Sequence, residues 1–414
     1  MARKKVILLM TVGLGSDEES TLKMANRSAA SINHVCPDYI VFFATEESIN
    51  TIGPIKELIK EDYDDFVEGE DYEIVLIKDI DSFNECFKVY SDKLIEFWGK
   101  NKLIIDYTSG TKTMSASLAS AAVLYDAQLI TVGGYREEGF IKKGTESIRT
   151  HNVYILKDRI FKFVIIKLFN NYRYDEAIYL LNYLISPDLD KDNLIKFIKI
   201  YSHWDNVRFE EAYNLFKEVD LSSLDFKEYD KIIKQNLKAL ARISNSHSEN
   251  IKNCYILASL INNAKRRAKE FKFDDGIARL YRSFELIGQI KLNQHGIESS
   301  NVDIDLLKRK DVSKEFIEYL ENSRDGGKIR IGLVNDYLLL NELGDKLGEY
   351  FVENRQLINN ITVKRNNSIL AHGLDSHSKE DYEVFEGLVL NLALDLDKDM
   401  KKFLKETKFP KLEV

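Results

Sequence analysis

Cysteine and proline are scarce in this 414-residue chain. The three cysteines, Cys36, Cys86 and Cys254, are odd in number, widely spaced and form no C-x-x-C pair. That excludes a disulfide framework and a structural zinc site, and makes a reducing cytoplasm the expected home. Only four prolines occur, at 37, 54, 187 and 410, so helices can run long. No apolar run reaches the roughly 18 to 20 residues that span a bilayer, and no membrane partner is expected. The opening MARKKVILLMTVGLG is basic and then apolar. It has no small-residue cleavage site and runs into a glycine turn, so it reads as a first strand and not as a signal peptide.

Acid outweighs base, 67 residues to 59, for a net charge of −8. Taken whole, that balance argues against nucleic acid as a partner. The excess is local, however. Residues 1–150 hold 17 Lys and Arg against 25 Asp and Glu, whereas residues 151–414 hold 42 of each. Eight of the carboxylates fall between positions 61 and 73. Their spacing matches no calcium loop, so they read as a solvated loop.

The first 157 residues alternate apolar runs with helical patterns. The runs, at 6–12, 39–44, 72–77, 102–105, 128–132 and 152–156, are mostly rich in Val and Ile, as buried parallel strands are. Helical patterns fill 18–32, 47–61, 82–97 and 111–125. This order predicts a parallel sheet with helices on both faces, and a ligand site beyond the carboxyl ends of its strands. From residue 158 on, helical patterns take over, at 158–184, 188–219, 226–244 and 254–271. The polar stretch 243–250 reads as a linker, and 324–328 as a further loop. No internal repeat is evident. Three domains are expected, at 1–157, 158–250 and 251–414.

Two strand-to-helix turns carry chemistry. Thr11-Val-Gly-Leu-Gly15 lacks the third glycine of a dinucleotide fingerprint. Asp106-Tyr-Thr-Ser-Gly-Thr-Lys-Thr113 is not a Walker loop. It does combine the hydroxyls of Thr108, Ser109 and Thr111 with Gly110, where the backbone can approach a ligand. Thr111 and Lys112 stand at a helix start, which favours a phosphate. A plain turn with a Thr or Ser helix cap would look the same.

Near the C-terminus stands Lys364-Arg-Asn-Asn-Ser-Ile-Leu-Ala-His-Gly373. On one helix Arg365 and His372 would share a side, about 10 Å apart along the axis. Arginine can clamp a phosphate, histidine can carry a proton near neutral pH, and Asn366 can fix an orientation. Ile369 and Leu370 would face the core. The plainer reading is a surface arginine and a helix-terminal histidine. Arg242 and His247 repeat the pattern at a spacing of five, which sends the two side chains to opposite faces, in a stretch that reads as loop. Arg279, Arg282 and Glu285 share one helix face and can orient the site or form an exposed ion-paired surface. The basic run at 265–272 can touch an RNA backbone or form a solvated face. His34, His151, His203, His247, His295 and His377 form no ligand spacing, so no catalytic metal is expected.

The motif Asp-Tyr-Thr-Ser-Gly-Thr-Lys-Thr-Met-Ser with its continuation at 116–122, together with Thr-Val-Gly-Leu-Gly after the first strand, resembles the CARF sensor domain of type III CRISPR accessory proteins. Arg-Asn-x-Ser-Ile-Leu-Ala-His-Gly, with the helix from Asp274 to Glu285, resembles HEPN ribonucleases over about residues 254–409. In this order the two resemble the CARF–HEPN ribonucleases. The resemblance implies an α/β plus all-α chain: an N-terminal Rossmann-like parallel sheet, a helical linker domain and a C-terminal all-helical HEPN-like domain. It implies a homodimer that binds cyclic oligoadenylate through Thr11, Gly13, Leu14, Gly15, Thr108, Ser109, Gly110, Thr111 and Lys112, with Gly133, Gly134 and Tyr135 as weaker candidates. It further implies metal-independent cleavage of single-stranded RNA by Arg365, Asn366 and His372, leaving 2′,3′-cyclic phosphate ends. The ligand is an allosteric activator, and no other cofactor is implied. Thr108, Ser109 and Lys112 are the residues to suspect if the sensor also cleaves its ligand. A non-catalytic cyclic-nucleotide sensor acting through a partner is the alternative, and a messenger-gated DNase ranks last because no Asp…Glu-x-Lys site is evident.

Overall fold

The computed structural model describes residues 3–61, 63, 66–137, 140–151, 153–184, 190–224, 227–322 and 328–413. The chain divides into two compact units, Met1–Lys162 with Leu184–Pro187, and Phe163–Tyr183 with Asp188–Val414.

In the first unit β1 (Val6–Thr11), α1 (Glu18–Val35), β2 (Tyr39–Ala44), α2 (Ile52–Ile59), β3 (Tyr72–Leu76), α3 (Phe83–Phe97), β4 (Lys102–Asp106), α4 (Lys112–Leu124) and β5 (Gln128–Gly133) follow in order. A short hairpin of β6 (Arg136–Glu137) and β7 (Phe140–Ile141) precedes β8 (Ser147–His151). The main sheet runs β3-β2-β1-β4-β5-β8, parallel throughout except for the β5–β8 pair. Alternation along the strands supplies two cores. Ile7, Leu9, Phe43 and Ile105 pack on α3 and α4, with Phe43 edge-on to Tyr90 at 4.6 Å. Leu8, Met10, Phe42 and Ile104 pack on α1 and α2. One expectation fails at the sheet edge. The sixth strand lies at Ser147–His151, antiparallel, and by Tyr154 the chain is already helical. Asn152 lies outside the described residues.

The helical unit is reached through α5 (Tyr154–Asn170). It continues with α6 (Tyr174–Leu181), α7 (Lys191–Asp205), α8 (Phe209–Glu218), α9 (Asp230–Asn245), α10 (Glu249–Lys269) and α11 (Phe273–Gln294). After these come α12 (Ile304–Arg309), α13 (Lys314–Asn322), α14 (Leu333–Glu342), α15 (Lys346–Glu353), α16 (Arg355–Asn366), α17 (Lys379–Leu396) and α18 (Met400–Glu406). The expected linker at 243–250 shrinks to three residues, because α9 runs to Asn245 and Ser248 caps α10. The loop expected at 324–328 lies outside the described residues, apart from Lys328.

A repeat invisible to periodicity appears here. Tyr172, Val207 and Phe271 each take a left-handed backbone, with φ of 64°, 62° and 60°. The next amide then donates five residues back, Arg173 to Leu168, Arg208 to His203 and Lys272 to Arg267, at 2.9–3.0 Å. This closes a Schellman turn. Each turn is followed by an aromatic residue, two acids and a small residue: Tyr174-Asp-Glu-Ala177, Phe209-Glu-Glu-Ala212 and Phe273-Asp-Asp-Gly276. The acids complement the helix N-terminus and the small residue admits the neighbouring helix. The second unit therefore contains three helical hairpins built on one turn.

Ionic contacts join two of these hairpins. Arg266 and Arg267 are not a solvated or RNA-facing surface: Arg266 is buried and Arg267 half-buried, both against Asp205 at the end of α7. Arg266 Nε donates to Asp205 Oδ1 at 2.6 Å and Arg267 Nη2 to Oδ2. Asn263 donates to the same carboxylate at 3.0 Å, and the Arg266 guanidinium lies 3.8 Å from the Phe409 ring centroid. Removing Asp205 would strand the buried Arg266 guanidinium and leave Arg267 with Glu270 alone, so Asp205→Ala is expected to cost about 3–5 kcal/mol in urea unfolding. A loss below about 1 kcal/mol, the range of surface pairs, would contradict the assignment.

Asp336 on α14 is fully buried, and neither carboxylate oxygen has a partner. Burial pushes its pKa up to about 7, with Glu285 adding to the shift and Ser299 and Arg282 opposing it. The folded value exceeds the unfolded 3.8, so the native state holds the proton more tightly. Stability from this group is therefore present in acid and declines as pH rises from about 4 to about 7. Asp336→Asn is expected to raise the Tm at pH 8 and leave it nearly unchanged at pH 4. Equal shifts at both pH values would refute this.

Candidate functional site

Strand order reverses between β1 and β4, and there both glycine turns lie. In open α/β sheets this is the ligand-binding position. The turns are tied together, since the buried Thr11 hydroxyl donates to the Ser109 carbonyl. Gly110 has a φ of +88°, which only glycine takes without strain, and Thr11 and Met114 leave a Cβ there only tight space, at 3.3 Å. The hydroxyls expected to face a ligand are largely committed elsewhere. Thr108 Oγ1 donates to Asp106 and accepts from Val132 N at 2.8 Å. Thr111 Oγ1 caps α4 by accepting from Met114 N at 3.2 Å and donates to the Ile80 carbonyl. The carboxyl of Asp106, held by Ser31 and Thr108, is raised by burial above the usual carboxylate range, the hydrogen bonds opposing. Open surface is left at Leu14, Gly110 and Lys112, with Gly15 half-buried and Gly13 and Ser109 buried beneath. Gly133 is half-buried, and Gly134 and the 67% exposed Tyr135 lead into the β6–β7 hairpin.

The acidic stretch stands apart from these loops. Glu68, Glu70 and Asp71 precede β3 at the amino end of the sheet, and Glu73 pairs with Lys93 at 2.8 Å. Asp62, Asp64 and Asp65 lie outside the described residues. Asp17, Glu18 and Glu19 are the acids next to the first turn, where Asp17 caps α1 and the two glutamates lie in its first helical turn.

The second site differs from its expected geometry. Arg365 and His372 do not share a helix, because α16 stops at Asn366. Asn-Asn-Ser is a weak helix former, and here Ser368 Oγ donates back to the Arg365 carbonyl at 2.8 Å. The chain then folds over itself. His372 N donates to Asn366 O at 3.0 Å, Gly373 N to Ser368 O at 3.2 Å and Asp375 N to Asn367 O at 2.9 Å. A Cβ on Gly373 would lie 2.0 Å from Asn367 O, so no other residue fits. Ile369 and Leu370 are 67% and 47% exposed and do not face the core. The loop still brings His372 back against the end of the helix that carries Arg365.

Arg365 lies 4.4 Å from the centroid of the Tyr281 ring on α11, and its Nη1 donates to Asn366 Oδ1 at 3.2 Å. Its Nε has no acceptor. His372 is exposed. The group is thus a positioned guanidinium with unused donor capacity beside an accessible imidazole, which suits phosphate binding and proton transfer. Arg279 pairs with Asp275 and Arg282 with Glu285, both at 3.1 Å along α11. The α11 residue that meets Arg365 is Tyr281, which no sequence signal marked. Burial, with Glu285 adding and Arg365 opposing, holds its hydroxyl pKa above the ordinary value. His377, noted from sequence only as forming no ligand spacing, is buried with Nδ1 2.7 Å from Asp274 Oδ1, and so ties the segment after the loop to the start of α11. Arg242 lies in the last turn of α9, and His247 sits in the short link that follows.

Among the described residues no group of three or more His, Cys, Asp or Glu side chains is placed to hold a metal ion. No helix among them is long and apolar enough to cross a membrane.

A Rossmann-like sheet with its loops at the switch point, followed by helical hairpins and an Arg–His loop, makes this an α/β plus all-α chain with two separate candidate sites. Residues 245–395 match the Csm6 HEPN domain model and residues 162–254 the Csm6 6H domain model. Together these cover more than half of the chain, which belongs to the CARF–HEPN accessory proteins of type III CRISPR systems. The fold is similar to that of Enterococcus italicus Csm6 bound to cyclic hexa-2′-fluoro-hexa-dAMP, with a TM-score of 0.61 and 14% identity over 97% of this chain and 100% of that one. No curated protein matches the chain.

Gly373→Ala tests the loop geometry. The added methyl has no room, so the loop must open. RNA cleavage is expected to fall at least tenfold while the far-ultraviolet circular dichroism stays unchanged, a loss of about 1.4 kcal/mol or more in the transition state. Full activity in this variant would contradict the described loop.

Proposed function

We propose that this protein is an endoribonuclease of type III CRISPR defence, activated by cyclic oligoadenylate, metal-independent and cytoplasmic, that cuts single-stranded RNA. The observation that carries the reading is Arg365 seated on Tyr281 beside the His372 loop, within the segment that matches the Csm6 HEPN model. In the chemistry, the ribose 2′-OH attacks the adjacent phosphate and the P–O5′ bond breaks. His372 moves the proton and Arg365 stabilises the charge that builds on the phosphorane. Asn366 holds the guanidinium through its Oδ1. The products carry 2′,3′-cyclic phosphate and 5′-OH ends. One Arg–His pair is a sparse site, so two copies face each other in a homodimer and form it jointly.

The activator sits at the switch point of the sheet. The relative with the similar fold was bound to a cyclic hexanucleotide analogue, which supports this class of ligand. Because Thr11, Thr108 and Thr111 hydroxyls are committed within the protein, ligand phosphates meet backbone amides at Gly110, Thr111 and the start of α4, with Lys112 supplying charge. Leu14, Gly13, Gly15 and Ser109 shape the floor. The division into sensor (1–157), helical linker (158–250) and nuclease (251–414) goes with this reading.

His372→Ala is expected to lower kcat for RNA by about 100- to 10,000-fold, with activator binding unchanged. Lys112→Glu should raise the activator concentration needed for half-maximal cleavage and leave the maximal rate intact. Activity that survives His372→Ala, or that vanishes when chelator is added, would contradict the mechanism.

A further inference from the structure

The turn between α10 and α11 carries a ring that the fold does not need. Phe271 is 82% exposed and holds a left-handed backbone, a conformation that disfavours any residue with a Cβ. Beside it lies a cavity of about 240 Å³ walled by Asn170, Tyr172, Arg173, Lys269, Glu270 and Lys411. Two of the three repeated turns thus meet the C-terminal tail, which Asn170 fastens by donating to the Leu412 carbonyl at 2.6 Å. Glu270, the one acid among these six, is already paired with Arg267 at 3.0 Å and Lys272 at 3.1 Å. Lys269 and Lys411 have no ion-pair partner among the described residues.

A row of contacts leads from this turn to the Arg–His loop. Phe271 stands edge-on to Phe273 at 6.4 Å, and Phe273 lies 6.2 Å from Tyr382. The residue before Tyr382, Asp381, pairs with Lys364, the neighbour of Arg365. An exposed ring flanked by free ammonium groups suits a single strand of nucleic acid, whose bases stack without regard to sequence and whose phosphates take the charge. A wall of amides and ammonium groups offers little to an apolar protein side chain.

We propose that the α10–α11 turn is a second RNA contact, outside the Arg365–His372 site. Phe271 stacks on a base of the single-stranded substrate, and Lys269 and Lys411 hold neighbouring phosphates. The assignment rests on the ribonuclease reading.

The test uses the full-length protein. Binding of a labelled 20-nucleotide single-stranded RNA is measured in a His372→Ala background that does not cut it, and KM and kcat are measured in the cutting protein. Phe271→Ala should weaken binding about fivefold or more and raise KM with kcat nearly unchanged. Phe271→Asn, which tolerates the left-handed backbone, should weaken it equally, whereas Phe271→Trp should retain it. Lys269→Glu and Lys411→Glu should weaken binding and make it less salt-dependent, the slope of log Kd against log salt falling by about one for each phosphate no longer held. If Phe271→Ala and Lys269→Glu bind RNA as tightly as the parent, and the parent binds and cuts RNA, this proposal fails and the ribonuclease reading stands. A parent that neither binds nor cuts RNA overturns both.

Discussion

The helical unit is assembled against one strut, the 22-residue helix α11. Its buried face includes Ile277, Leu280, Phe284, Ile287 and Ile290, at spacings of three and four, and packs on α10, α14 and α17. Because that face is committed to the core, residues at its edges become fixed reference points. Tyr281 receives Arg365, Asp274 receives His377 and Asp275 receives Arg279. The Arg–His loop is therefore an irregular segment held against a rigid helix, which fixes its geometry. Loosening α11 would disturb the loop without touching Arg365 or His372.

The sensor unit follows the same division of labour. Two apolar cores on either side of the sheet hold β1 and β4 side by side, and their loops meet where strand order reverses. Threonine hydroxyls are spent on tying these loops to Asp106, Ser109 and Val132. What remains open there is backbone, Leu14 and one lysine, Lys112. Only Asp17, Glu18 and Glu19 among the described acids follow directly on these loops. The described acids of the 61–73 stretch sit at the amino end of the sheet, and the loops lie beyond its carboxyl end.

Much of this was legible from residue order. Val- and Ile-rich runs bounded by Gly or Asp mark five strands, and low proline content marks long helices. The sheet edge was not legible, because Ser147–His151 is polar and pairs antiparallel, with no apolar run to announce it. The three repeated turns were hidden because Tyr, Val and Phe occupy positions where glycine usually signals a helix end. Periodicity placed Arg365 and His372 on one helix because it does not register the Ser368 back-bond or the missing Cβ of Gly373. The basic run at 265–272 was read by charge alone, whereas Asp205, 61 residues from Arg266, decides where two of its arginines go.

The central claim is that a cyclic oligoadenylate turns on RNA cleavage by the Arg365–His372 pair. It is tested most directly by analysing the ends of RNA fragments produced with and without saturating cyclic hexaadenylate and cyclic tetraadenylate. The account predicts that one of these rings raises cleavage strongly and that every new end is a 2′,3′-cyclic phosphate or a 5′-OH. Cleavage that does not change although a ring binds, or fragments that carry 5′-phosphates, would contradict it.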